Sequence, residues 1–162
     1  MPNTLGRSSG GVDGLGLSVT IAAVDDPHLL AVDIQASSER YRGSAVVWLD
    51  RCTLTGFADA LEGFPARPGD ERVVTLGHRD SKTLDGFRFV RGLCVLRFRY
   101  GNGTLGGTMV EAYFEDDASP ATAAFTFATE AAYVDRFVSS LRHLAGPNGG
   151  NIGQVALLGG SA

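Results

Sequence analysis

The chain has 162 residues, 44% of them hydrophobic and 20% charged, with a net charge of −4. That length suits one ordinary domain able to bury a core without disulfide staples, and the composition excludes a disordered chain. No apolar run approaches the roughly 20 residues needed to cross a bilayer, and the acidic balance argues against nucleic acid, which needs clustered positive charge.

Residues 1–14 are polar and rich in Gly and Ser, with no apolar stretch of the kind a secretion signal carries, so they read as a flexible tail. Cys52 and Cys94 form no CxxC, and reduced thiols in a cytoplasmic protein are the expectation. Leu15, Leu17, Val19 and Ile21 then alternate with small or polar residues, the period of two of a half-buried strand. Turn residues Asp25-Asp26-Pro27-His28 follow, and Leu30, Val32 and Ile34 begin a second strand, so the two predict a hairpin. Tyr41 to Leu49 reads as a third strand ending at Asp50.

There the period changes. Leu54, Phe57, Ala58 and Leu61 lie on one stripe of a helix spanning Cys52 to Phe64, with Asp50 or Thr53 as its cap. Gly56 within it is unfavourable by about 1 kcal/mol relative to Ala, unless packing compensates or a neighbour approaches closely. Arg72 to Leu76 is a short strand, and His78 to Gly86 a polar loop. Phe87 to Tyr100 and Thr108 to Glu115 are strands joined by a Gly-rich loop. Their patterns require Arg97 and Arg99 to share a face with Glu111 and Tyr113, and Phe98 to share the other with Val110 and Ala112. Thr122 to Thr129 is a last strong strand, and Val134, Phe137, Val138 and Leu141 mark a second helix, Ala131 to Leu144. Residues 147–162 form a Gly-rich tail whose apolar island, Val155 to Leu158, is either loose or docked as an edge strand. The expected fold is α+β: an antiparallel sheet of seven or eight strands with two amphipathic helices on one face, in a single domain over residues 15–146.

One pattern occurs twice. Val47-Trp48-Leu49-Asp50 with Leu54, Phe57, Leu61 and Phe64 is answered 80 residues later by Phe127-Ala128-Thr129-Glu130 with Val134, Phe137, Leu141 and Leu144. Strand, acidic residue and helix recur in register, which implies two pseudo-symmetric βα units packed side by side on one sheet face.

The candidate chemical motifs fail individually. Gly101-Asn102-Gly103-Thr104-Leu105-Gly106 has dinucleotide-fingerprint spacing, but a strand follows where a helix N-terminus must hold the pyrophosphate. His28, His78 and His143 pair with no other ligand type, so neither a metal nor a cofactor is expected. Four consecutive loop residues, His78-Arg79-Asp80-Ser81, cannot assemble a triad. Cys52 stands at a helix start, where a thiol pKa falls, yet free cysteines are more often inert. No catalytic residue is assigned. Trp48 reads as a core or interface anchor. The acidic group Glu111, Glu115, Asp116 and Asp117, with Asp25 and Asp26, is the candidate surface for a basic protein partner, with Arg97 and Arg99 offsetting part of its charge.

The run Gly43-Ser-Ala-Val-Val-Trp-Leu-Asp into Leu54-Thr-Gly-Phe-Ala-Asp-Ala-Leu61 resembles a pattern in the WapI-type immunity group of small bacterial proteins and in related uncharacterised actinobacterial families. There an aromatic-bearing strand leads into an L-x-x-F-a-x-x-L helix, more strands follow, and a second such helix closes the chain. The resemblance implies a non-enzymatic protein that binds and neutralises a cognate toxin, and it supplies no site residues. Two further readings stand beside it. One is a small-molecule binder or divergent enzyme with a pocket between sheet and helices, lined by Phe57, Phe87, Phe89, Tyr113 or Phe125. The other is a structural subunit of a larger assembly.

Overall fold

A computed structural model describes residues 14–26, 28–77, 92–101, 107–116 and 119–160. In chain order the elements are β1 (Gly16–Asp26), β2 (Leu29–Ser37), β3 (Arg42–Asp50), α1 (Arg51–Leu61), β4 (Glu71–Gly77), β5 (Leu93–Tyr100), β6 (Thr108–Asp116), β7 (Ser119–Thr129), α2 (Ala131–Ala145) and β8 (Val155–Gly159). The α+β class is as expected, and the eight strands divide into two antiparallel four-stranded sheets, β3-β2-β1-β8 and β4-β5-β6-β7. The 155–158 island therefore takes the second of its two fates. It joins the first sheet as an edge strand, Leu17 opposite Leu158 and Thr20 opposite Val155. Phe87 to Val90, the first half of the long strand expected before Tyr100, lies outside the described residues, as do the polar loop beginning at His78 and most of the glycine loop.

The two sheets have one plan. Each is a three-strand meander, β1-β2-β3 or β5-β6-β7, that runs into a helix and is completed at its first strand by the strand that follows the other half's helix. Thus β4 leaves the first half to pair with β5, and β8 leaves the second half to pair with β1. The repeat read from the sequence is seen in this shared plan, an internal two-fold, but its two units do not share one sheet face as expected, because each meander forms its own sheet. The strands that lead into α1 and α2 belong to different sheets, and the helices pack on one another.

Equivalent positions meet across that axis, as a two-fold relation requires. The rings of Phe57 and Phe137 lie edge to face with centroids 5.6 Å apart, a geometry the ring quadrupoles favour. Farther along, Arg142 donates to both carboxylate oxygens of Glu62, its counterpart by the same 80-residue offset, and to Asp59. The Arg142 guanidinium holds the Glu62 carboxyl below its ordinary range. The helix starts differ. The Asp50 side chain accepts from the Thr53 backbone N–H at 2.7 Å, whereas Glu130 makes no side-chain cap bond and leaves the first turn to its backbone carbonyl. Aspartate is among the residues with the reach for an N-cap; glutamate is not.

The sheets meet at β3, whose Ala45, Val47 and Leu49 are buried in the core shared with Cys94, Leu96, Phe98 and Phe114. Two glycines permit the approach. A Cβ on Gly43 would stand 2.8 Å from the Phe114 ring, and one on Gly92 would stand 2.4 Å from the Val46 carbonyl oxygen of β3.

The connection from α1 to β4 is locked by Asp70. Its carboxylate takes both Nε and Nη2 of Arg72 at 3.0 Å and the Ala66 backbone N–H at 2.8 Å. Nη1 of Arg72 donates onward to the Ala60 carbonyl of the last helical turn. These donors pull the Asp70 pKa from 3.8 to about 2, the Arg72 bond first among them. The folded pKa lies below the unfolded one, so the contribution is present above pH ~4 and is lost as pH falls through about 2. Denaturant titration is expected to show Asp70→Asn less stable than wild type at pH 7, with the gap closing toward pH 2. The exposed face of α1 gives an opposite case. Nothing lies within 4 Å of where a Cβ would sit on Gly56, so packing does not require the glycine. Gly56→Ala should raise stability by about 0.5–1 kcal/mol, a rise in Tm of roughly 1–4 °C in a chain of this size.

Candidate interaction surface

In each sheet, side chains alternate between the shared core and an outer face. On the second sheet, Val74, Leu76, Cys94, Leu96, Phe98, Val110, Ala112 and Phe114 point inward. The outer face is set by the register: Glu71 opposite Arg99 and Arg99 opposite Met109, then Val73, Arg97, Glu111 and Thr126 across the next row, then Thr75, Val95, Tyr113 and Ala124. The hairpin register required by the sequence, with Arg97 against Glu111 and Phe98 against Val110, is the one observed.

Charge on this face is interleaved. Glu71 accepts from Arg99 Nε at 2.8 Å and lies 3.9 Å from Arg97 Nε, so one carboxylate serves two guanidiniums. The Tyr113 hydroxyl donates to Glu115 Oε2 at 3.1 Å. Two shallow depressions sit on the face and share Arg97 and Glu111 in their walls. One, of about 530 Å³, lies toward Tyr100 and Met109; the other, of about 540 Å³, lies toward Val95 and Tyr113. Val73 and Met109 are exposed among the charges. The arrangement offers ion pairing, hydrogen bonding and apolar contact. No described histidine or cysteine stands on it.

The acidic residues singled out from sequence divide between the sheets. Glu111 and Glu115 share this outer face. Asp116 ends β6, and Asp117 lies outside the described residues. Asp25 and Asp26 are at the far end of β1, in the first sheet, with Asp26 paired to Leu29. The structure thus makes a mixed-charge face from Glu111 and Glu115 with Arg97, Arg99 and Glu71, not one acidic patch. Glu71 was not singled out from the sequence. Its signal was the alternation Glu71, Val73, Thr75 in a strand next to β5, legible only once the β4–β5 pairing was known.

The first sheet's outer face contrasts with it. Val46, Trp48, Val155 and Leu157 are exposed there at 42, 39, 44 and 54%. Of its two expected places, Trp48 thus takes the surface and not the core.

The aromatics named for an internal pocket have other places. Phe57 packs on Phe137, Phe125 lies in the core with its ring 6.2 Å from that of Phe114, and Tyr113 is on the outer face; Phe87 and Phe89 lie outside the described residues. Among the described residues no group of three or more His, Cys, Asp or Glu converges as a metal site, and no helix is long and apolar enough to cross a membrane. Cys94 is fully buried, which pushes its thiol pKa up, while Cys52 is exposed. A thiol reagent is therefore expected to label one cysteine in the native protein, Cys52, and the second only after denaturation; rapid native labelling of Cys94 would contradict its burial.

No family model matches the chain, and no curated protein or solved structure shows significant similarity to it.

Proposed function

We propose that this chain is a non-enzymatic protein-binding module that works in the cytoplasm through the outer face of its second sheet. The observation that carries the reading is the make-up of that face. Arg97, Arg99, Met109 and Tyr113 line shallow depressions with Glu71 and Glu111 between them. Arginine, methionine and tyrosine are the side chains enriched where proteins meet. Alternating charge of this kind favours a partner with a complementary pattern over a uniformly basic one, because each misplaced like charge is penalised. The resemblance of the Gly43 to Leu61 run, and of the order of elements from Tyr41 to Leu144, to the WapI-type immunity group supports a cognate bacterial toxin as that partner.

The test is co-expression with a toxin encoded beside the gene, followed by titration calorimetry of the purified pair. Met109→Glu and Arg97→Glu are each expected to weaken the complex by at least about 30-fold, the effect of losing a central contact worth about 2 kcal/mol. Toxin protection should fall in parallel, while far-UV circular dichroism stays unchanged. A complex indifferent to both substitutions would place the partner elsewhere and sink the assignment.

A further inference from the structure

The charges of the second sheet's outer face do not balance where they stand. Arg97 lies opposite Glu111 across the β5–β6 pair, a position from which opposite charges normally join. Its guanidinium leans the other way, toward β4, with Nε 3.9 Å from Glu71 Oε1. Arg99 takes the second oxygen of the same carboxylate, with Nε 2.8 Å from Oε2. Both arginines of the face are thus drawn to Glu71. Glu115 accepts from the Tyr113 hydroxyl. Glu111 is left over: among the described residues its side chain has no ion pair or hydrogen bond, although it is half-buried in the central row of the sheet.

Resting on the protein-binding reading above, we infer that Glu111 determines the specificity of this face by receiving an arginine side chain of the partner. The side chain enters the depression of about 540 Å³ toward Tyr113, in whose wall Glu111 stands. Leu93, Val95 and Thr75 line the same depression and form a bed for the methylene stem of a long cation. Beyond the stem, Glu111 presents two carboxylate oxygens, which a guanidinium engages through two parallel N–H bonds. Tyr113 follows Glu111 on the same face of β6, so its ring is placed to meet the flat side of that guanidinium. Lysine, a strongly hydrated point charge, makes no such two-pronged pair, so arginine is the chemistry that the site selects.

The other end of the face is electrostatically closed. Arg97 and Arg99 share Glu71 there, and Asp70 is held by Arg72. An incoming cation therefore finds its open carboxylate on the Glu111 side, which fixes the direction in which a partner lies across the strands. Arg97 is a like charge in the same wall, and its lean toward Glu71 turns it from the newcomer. Selection then works through an unfilled charge. A partner without the arginine covers Glu111 and leaves it unpaired, which is penalised more than a contact that is merely absent.

The test uses the full chain with a blocked arginine, N-acetyl-arginine amide, and its uncharged isostere, N-acetyl-citrulline amide. In NMR titrations into the millimolar range, the arginine probe is expected to shift the Glu111 carboxyl signal together with those of Tyr113 and Val95. The citrulline probe should leave all three in place. Glu111→Gln keeps the shape of the side chain and should weaken the arginine response at least about tenfold. Equal shifts with citrulline, shifts confined to other parts of the molecule, or a response that Glu111→Gln leaves intact would each overturn the inference. The protein-binding reading fails separately. A toxin complex that is lost with Met109→Glu and indifferent to Glu111→Gln keeps that reading and removes this one, whereas arginine binding at Glu111 in a chain with no protein partner does the reverse.

Discussion

The fold rests on the contact of Phe57 with Phe137 at the internal two-fold. Each ring belongs to a helix that arises from a different sheet, so this edge-to-face pair joins the halves in the helix layer, as the exchanged strands β4 and β8 join them in the sheets. Leu54, Leu61, Val134 and Leu141 are buried in the same core. Arg142 with Glu62 and Asp59 closes the solvent side; exposed pairs of that kind orient more than they stabilise.

A second tie has no symmetric counterpart. Arg51, the first residue of α1, donates through Nη1 to the carbonyls of Gly146 and Gly149 at 3.0 Å. Those carbonyls follow α2, where the helix leaves acceptors without intrahelical donors. One guanidinium thus satisfies the end of α2 from the start of α1 and directs the chain toward β8. In the first half, Asp70 and Arg72 direct the chain toward β4 by other bonds. The halves share a plan and differ in how each fastens its exchanged strand.

Much of this was legible in the residues. The period-two and period-3.6 patterns located the strands and both helices, because a half-buried element must repeat its apolar side chains with its own geometry. The β5–β6 register followed from charge and apolarity on opposite faces, and the 80-residue echo announced the two-fold. What could not be read was the division into two sheets. Alternation shows that a strand has an inner face; it does not say which sheet faces it, and the exchange of β4 and β8 is written in no local pattern. The interaction surface suffered from the same gap. Acidic residues were visible one by one, but Glu71 beside Arg99 depends on a pairing of strands far apart in the chain.

The exchange of strands also orders events in time. During synthesis the second sheet's edge strand, β4, is made before the meander it will join, so that sheet can close as soon as β7 and α2 are available. The first sheet has the reverse schedule. Its meander is finished by Asp50, yet the edge of β1 stays unpaired until residues 155–159 exist, because Gly16 pairs with Gly159. Pairings of such sequence separation form slowly, and an exposed strand edge is where nascent chains go astray. Strand β8 is therefore the step on which completion of the first sheet waits.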